Sequence, residues 1–328
     1  MASNRDAAEA RLRPTLVTGS AGFIGSHVVA ALLSRGRDVV GLDNFDPFYA
    51  EAVKRQNVRD AGPHEVIEAD LCDADAVRAA LIRNRPETII HLAGKAGVRP
   101  SLADPAGYAR ANVVGTAVLL AEAARAGCAR VVLASSSSVY GNNRKTPFAE
   151  DDPVDAPISP YAATKKACEL AAHAHHAATA MPVGCLRFFT VYGPRQRPDL
   201  AIHAFMARIA RGQPITVFGD GSMARDFTFI DDIVAGVLSA VERIDAHGYR
   251  VWNLGSDRPV RLDAMIATIG RTVGREPVIE RKPVPMGDVE RTWADLTRSR
   301  TELGYSATTP FEVGVGRQWE WMRPRLPA

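Results

Sequence analysis

The chain has 328 residues, enough for two domains or for one large domain with an appendage. Apolar residues make up 46% and charged residues 23%, too apolar for a disordered chain and ordinary for a globular enzyme. The net charge is only +3 and no block of Lys and Arg occurs, which argues against a nucleic-acid partner and suits an anionic small molecule.

Cys72, Cys128, Cys168 and Cys185 lie far apart with no Cys-x-x-Cys, so they read as reduced thiols of a cytoplasmic protein. The opening MASNRDAAEARLR lacks the apolar stretch of a signal peptide. Pro14 to Ser34 carries no charge and is long enough to span a membrane. Its glycines fall where a strand would turn into a helix, so a buried strand-turn-helix and no membrane partner are expected.

Along the chain, short β-branched runs alternate with Ala/Leu-rich helical patterns. Strands are expected at Thr15–Thr18, Asp38–Leu42, Val66–Ala69, Thr88–Leu92, Arg130–Ala134 and Val183–Phe189. Helices are expected at Gly22–Ser34, Ala74–Arg83, Pro105–Ala126 and Pro160–Thr179. Nearly all-apolar strands alternating with helices predict an α/β fold with a parallel sheet covered on both faces. After about Tyr192 the pieces shorten, and PITVFGDG and PVIERKPVP look like isolated strands and loops. The expected division is a first domain over residues 1–190 and a smaller C-terminal one over 191–328. A segment near 228–256, with the helical stretch from Asp231 and the strand VWNLG, returns to the first.

TLVTGSAGFIGSHVVAALL runs from an apolar strand through Gly19, Gly22 and Gly25 into a helix. Such glycines allow a tight turn and let backbone N–H groups, with Phe23 and Ile24 at the helix start, reach a pyrophosphate. The spacing is G-x-x-G-x-x-G, and a glycine turn by itself is weak evidence. Asp43, eighteen residues after Gly25, closes the next strand beside Asn44. An acid there accepts from adenosine ribose hydroxyls and repels a 2′-phosphate, which favours NAD over NADP and a doubly wound Rossmann sheet. Alternatively Asp43 caps a turn.

VVLASSSSVYG puts serines at the end of the fifth strand. SPYAATKKACEL places Tyr161 and Lys165 four apart on one helix face, after the Ser159-Pro160 start signal. Tyrosine is ordinarily a poor base, with a pKa of about 10. A neighbouring ammonium and an oxidised nicotinamide stabilise phenolate, so Tyr161 is a candidate base, with Ser136 sharing its substrate oxygen and Lys165 also reaching the nicotinamide ribose. Alone, Tyr-x-x-x-Lys is equally an exposed helix face.

Glycine turn, acid, serine strand and Tyr-x-x-x-Lys in this order resemble the extended short-chain dehydrogenase/reductase superfamily over essentially the whole chain. LDNFDPFY, HLAGKAGVRPSL, SSSSVYG, LRFFTVYGPRQRPDLAI, RDFTFIDDI and GDVERTWADL are most similar to nucleotide-sugar epimerases, the UDP-glucuronate 4-epimerases among them. The resemblance implies that Tyr161 takes the C4 hydroxyl proton while hydride passes to NAD+. The 4-keto sugar then rotates, and hydride returns to its other face with no net redox. The alternatives are a UDP-glucose 4-epimerase or dual-specificity enzyme, and a non-catalytic NAD-binding protein of the same fold.

Dehydratases of the superfamily resemble Thr-Asp-Glu-Val-Tyr-Gly at the serine segment, and UDP-glucuronate decarboxylases Thr-Ser-Glu-Val-Tyr-Gly. Here Ser136, Ser137 and Ser138 stand in that place, without an acid to protonate a leaving water. Hydroxyls can donate to a substrate carboxylate that an Asp or Glu would repel. Alternatively they satisfy backbone groups at a strand end. A 4-keto uronate is a β-keto acid and tends to lose carbon dioxide, so its carboxylate must be held out of line with the carbonyl. The resemblance assigns this to Ser137, Ser138 and Thr190, where glucose epimerases commonly carry Asn, with Arg195 or Arg197 adding positive charge.

It further implies Asp70 and Leu71 at adenine, and Ala93, Gly94, Lys95 and Asn112 along the cofactor. Lys95 stands where a Gln is expected in glucuronate epimerases and resembles the lysine of glucose epimerases. Arg225, Asp288 and Arg291 would hold UDP diphosphate and ribose, and Val217 and Phe218 would face uracil, although strand packing alone explains the last two. His173, His175 and His176 are read as a helix surface, not a metal site. The resemblance implies a homodimer through a two-fold four-helix interface made by the wide Ala/Leu faces of Pro105–Ala126 and Pro160–Thr179, although core burial would give the same pattern.

Overall fold

A computed structural model describes residues 13–283 and 289–326. Its strands are β1 Thr15–Thr18, β2 Val39–Asp43, β3 Glu65–Glu68, β4 Thr88–His91, β5 Arg130–Ser136 and β6 Val183–Phe188. They continue with β7 Thr190–Tyr192, β8 Ile215–Phe218, β9 Ala224–Phe229, β10 Tyr249–Leu254, β11 Pro259–Arg261 and β12 Ile279–Lys282. Seven form one parallel sheet in the order β10-β6-β5-β4-β1-β2-β3. The expected doubly wound α/β Rossmann sheet is therefore present, with β10, from the VWNLG segment, hydrogen-bonded beside β6.

Strand alternation splits the apolar side chains into two cores. Leu16, Ile89, Val131 and Leu133 face the helices Ala74–Asn84, Gly115–Arg125 and Pro160–Thr179. Val17, Ile90 and Val132 face Phe23–Ser34 and Ile230–Arg243 on the other side. A period of two thus accounts for strands that are apolar at every position.

The expectations for the later segments need correction. PITVFGDG and PVIERKPVP are not isolated: β8 and β12 pair in parallel, Ile215 opposite Ile279. A separate three-stranded sheet joins β7, β9 and β11. Pro105–Ala126 is not one regular helix. It runs as Pro105–Tyr108, a π-helical stretch Ala109–Val114, and Gly115–Arg125. The wider turn lets the Asn112 side chain reach Lys95 while its carbonyl accepts from Thr116. A helix at Glu51–Ala61 has no counterpart in the sequence reading, because its residues lack an apolar stripe.

Candidate active site

The order of the sheet reverses between β1 and β4, and a cleft opens there at the carboxyl ends of the strands. Its volume is about 520 Å³. Gly19, Gly22, Phe23, Ile24 and Gly25 form one wall. Gly19 has a φ of +68°, and a Cβ there would lie 2.7 Å from the Ala93 nitrogen. A Cβ on Gly25 would lie 2.0 Å from the Gly19 carbonyl oxygen. Both positions therefore demand glycine for the turn to close. Gly22 caps the Phe23–Ser34 helix with no side chain, so its first N–H groups are left for a ligand.

Asp43 ends β2 at the cleft and is buried. Its carboxylate accepts from the Ala21 N–H at 3.0 Å and the Phe45 N–H at 2.8 Å. Burial pushes the carboxyl up from its usual range, while these N–H groups and nearby Lys54 pull it back. Asp43 thus does hold a turn, but with lone pairs remaining toward the cleft. A glycine cradle that any Cβ would fill, an uncapped helix start and an acid across from it fit a dinucleotide. Asn44, Asp70, Leu71, Ala93, Gly94 and Lys95 line the same cavity.

Ser159 caps the Pro160–Thr179 helix by accepting from the Ala162 N–H at 3.1 Å, and Pro160 follows at the first position. Tyr161 and Lys165 project inward, 9% and 6% exposed, which removes the surface-face alternative. Both line the cleft together with Ser136, Ser137, Ser138 and Thr190. Lys165 Nζ donates to the Ala134 carbonyl at 2.9 Å. Ser136 Oγ accepts from the Ser138 N–H at 3.1 Å and so turns β5 into the short 3-10 helix Ser137–Tyr140. Tyr108 packs edge-on against Tyr161, with ring centroids 6.2 Å apart.

The two arginines of GPRQRPD go different ways. Arg197 lines the cleft, stacks 4.7 Å over Phe48 and pairs with Asp199 at 2.6 Å. Arg195 turns away, donating to the Ser26 and Asp60 carbonyls at 3.1 and 2.7 Å. Asn112 lies behind the cleft wall: its Oδ1 accepts from the Lys95 N–H at 2.8 Å, and its Nδ2 donates to Thr164 Oγ1 at 2.9 Å. Lys95 Nζ pairs with Asp104 at 3.1 Å, the residue that caps Pro105–Tyr108.

Val217, Phe218, Arg225 and Arg291 lie outside the cavity lining. Val217 is buried in β8, and Arg99 stacks 4.6 Å over Phe218. Arg225 donates to the Ala224 carbonyl, and Arg291 is exposed beside it on a bridge to Ala224. Asp288 falls outside the described residues. His173 packs edge-on against Tyr249, and His176 bonds the Met181 carbonyl. Sequence reasoning missed Asp46, Phe48, Tyr49 and Lys54 at the cleft. Lys54 Nζ donates to the Asp46 carbonyl at 2.7 Å and lies 5.0 Å from the Tyr49 ring centre. LDNFDPFY contains the first three, but no spacing rule marks them.

A nucleotide cleft beside a buried Tyr-Lys pair defines the class, and the comparison of sequences agrees. Residues 15–255 match the profile of the NAD dependent epimerase/dehydratase family, and the chain belongs to that family. It is 36% identical to a UDP-glucuronate 4-epimerase of Thermodesulfobacterium geofontis, over 95% of this chain and 96% of that one. The crystal structure of UDP-glucuronic acid 4-epimerase from Bacillus cereus, in complex with UDP-glucuronic acid and NAD, superposes with a TM-score of 0.88. It has 32% identity and covers 95% of this chain and 99% of that one. UDP-glucose 4-epimerase of Thermotoga maritima with UDP-glucose gives a TM-score of 0.87 at 32% identity, covering 96% and 100%.

Proposed function

We propose that the protein inverts C4 of UDP-glucuronate to give UDP-galacturonate, through a transient 4-keto sugar and with tightly held NAD+. Bound NAD+ would supply the acceptor for the C4 hydride, and the same hydride would be returned to C4 with no net redox. Gly19, Gly22 and Gly25 with the uncapped helix start take the pyrophosphate, and Asp43 takes the adenosine ribose. Asp43 also disfavours a 2′-phosphate. Tyr161 removes the C4 hydroxyl proton and gives it back after the sugar has turned. Lys165 supplies the neighbouring charge, and Ser136 holds the reacting oxygen.

The observation that carries the uronate assignment is the lining of the reacting end. Ser137, Ser138 and Thr190 line the same cavity as Tyr161 and Arg197. Among the described residues, the only carboxylates in the lining are Asp43, Asp46 and Asp70. None of these belongs to the serine segment, so a substrate carboxylate there meets hydroxyl donors and no acid, while the Arg197 guanidinium in the same lining is shared with Asp199. The same contacts hold it out of line with the C4 carbonyl and suppress loss of carbon dioxide. Incubating the protein with UDP-glucuronate and with UDP-glucose, and resolving the epimers, tests the assignment. Faster turnover of UDP-glucose would favour the neutral-sugar reading, to which Lys95 points.

The finer partner assignments rest on the same reading. UDP is held from the C-terminal portion, with Arg225 and Arg291 near its phosphates. A homodimer forms through the helical segments of residues 105–126 and 160–179, where Val114 and Leu170 are 47% and 58% exposed. The four cysteines are free thiols, in keeping with a cytoplasmic enzyme. No helix among the described residues is long and apolar enough to cross a membrane.

A further inference from the structure

His91 ends β4 beneath the cleft and is 4% exposed, with polar partners on both sides. Its Nδ1 lies 2.7 Å from Thr18 Oγ1, and its Nε2 lies 3.0 Å from Thr116 Oγ1. The outer partners fix where the hydrogens go. Thr116 Oγ1 donates to the Asn112 carbonyl at 2.5 Å, so it must accept from the Nε2–H of His91. Thr18 Oγ1 accepts from the Ala93 N–H at 3.3 Å and is free to donate to Nδ1. A neutral imidazole with its proton on Nε2 satisfies every member, and a protonated one would not.

The column does not stop at Asn112. The Cys168 thiol donates to the same carbonyl at 3.3 Å, and the Asn112 amide donates to Thr164 Oγ1. Thr164 Oγ1 then donates to the Tyr161 carbonyl at 2.8 Å. At the other end Thr18 directly precedes Gly19, whose backbone packs so closely on Ala93 that a Cβ would lie 2.7 Å from the Ala93 nitrogen. One imidazole therefore sits between the glycine turn and the helix that carries Tyr161 and Lys165.

We infer that His91 is a positioning residue, with its Thr18 side setting dinucleotide affinity and its Thr116 side setting the placement of the Tyr161 helix. The inference rests on the proposed roles of NAD+ and Tyr161. It concerns how they are held, since His91 is absent from the cavity lining.

Two substitutions separate the sides. His91→Asn places an amide oxygen where Nδ1 was and keeps the Thr18 bond, but is too short to reach Thr116. His91→Gln reaches Thr116 and abandons Thr18. For one lost hydrogen bond, His91→Gln weakens NAD+ binding about tenfold and leaves kcat within about threefold at saturating NAD+. His91→Asn does the reverse: kcat falls about tenfold at unchanged KM, and the Kd for NAD+ stays within about threefold. NAD+ affinity is read by titration of the stripped protein and needs no turnover. Variants that alter both quantities equally, or neither, overturn the inference. If either His91 variant does not fold, Thr116→Val must lower kcat with NAD+ affinity kept, and Thr116→Ser must restore it; equal behaviour of the two overturns it also. A wild-type protein with no affinity for NAD+ would overturn the functional reading together with this one. A wild type that binds NAD+ and turns over, beside indifferent variants, would overturn this one alone.

Discussion

Lys165 Nζ and the Ala134 carbonyl are 2.9 Å apart, a bond that runs from the helix carrying Tyr161 to the strand ending in Ser136. Tyr161, Lys165 and Ser136 arise from two segments about 25 residues apart, yet they share one rigid frame. The frame also orients the ammonium, because one of its hydrogens is committed to the carbonyl. Removing the reacting group from it should cost catalysis without disturbing the scaffold.

Tyr161→Phe deletes the phenolic oxygen and keeps the edge-on packing with Tyr108. We expect kcat for UDP-glucuronate to fall by about a thousandfold, as for loss of a general acid-base group. UDP affinity, measured by calorimetry, should stay within about twofold, since no nucleotide contact is assigned to the hydroxyl. Persisting epimerisation would remove the proposed base.

Thr190 lies in β7 and lines the cleft close in sequence to Phe188 and Phe189, which also line it. Thr190→Asn replaces a compact donor by a larger amide suited to a neutral sugar. The kcat/KM for UDP-glucuronate should drop about tenfold more than that for UDP-glucose, a difference of about 1.4 kcal/mol. Equal losses on both substrates would count against a carboxylate contact.

Arg197 and Arg195 should separate function from stability. Arg197→Ala removes the cleft's guanidinium and its stacking on Phe48, so KM for UDP-glucuronate should rise about tenfold. Arg195→Ala leaves KM unchanged and lowers Tm instead. It frees the Ser26 and Asp60 carbonyls, which join the glycine-turn helix to the next one, at a cost of about 1–3 kcal/mol. Steady-state kinetics and thermal melts on both variants check this.

Acid should destabilise the protein through His91. Burial, reinforced by the Lys165 ammonium, lowers its pKa from 6.5 to about 3. The other groups packed on it are the Thr18 and Thr116 hydroxyls and, beyond Thr116, the Cys168 thiol. Between those two pH values the unfolded chain takes up a proton that the folded chain refuses. Stability is thus full above pH 6.5 and declines as pH falls toward 3, by about 1.4 kcal/mol per pH unit for this group. Melting curves from pH 7.5 down to about 5.5 should show a shallower acid decline for His91→Asn than for wild type.

Much of the fold was legible because its strands are apolar on both faces and its turns are marked by glycine. Thr15–Thr18 and Pro160–Thr179 were read with the bounds they have, the latter because Ser159-Pro160 announces its start. The cleft residues Gly19, Asp43, Ser136, Tyr161 and Lys165 were legible for a different reason: each is a residue type that the chemistry needs at a strand end or first helical turn. The π-helical stretch was not, since periodicity registers which side chains are apolar and not that Asn112 is drawn toward Lys95. Arg195 and Arg197 could not be told apart, being two residues apart in a loop with no period to set their directions. His91 passed unnoticed because a lone histidine in an apolar strand carries no spacing signal; only the threonines brought to it from β1 and from the Gly115–Arg125 helix give it a role.

In the proposed reaction a hydride leaves C4 and returns to C4 without leaving the cleft. It is tested most directly by supplying UDP-glucuronate deuterated at C4, with no added dinucleotide, and examining the product by NMR and mass spectrometry. UDP-galacturonate should form with the deuterium retained at C4 and no release of carbon dioxide. Deuterium lost to water, or a decarboxylated product, would contradict it.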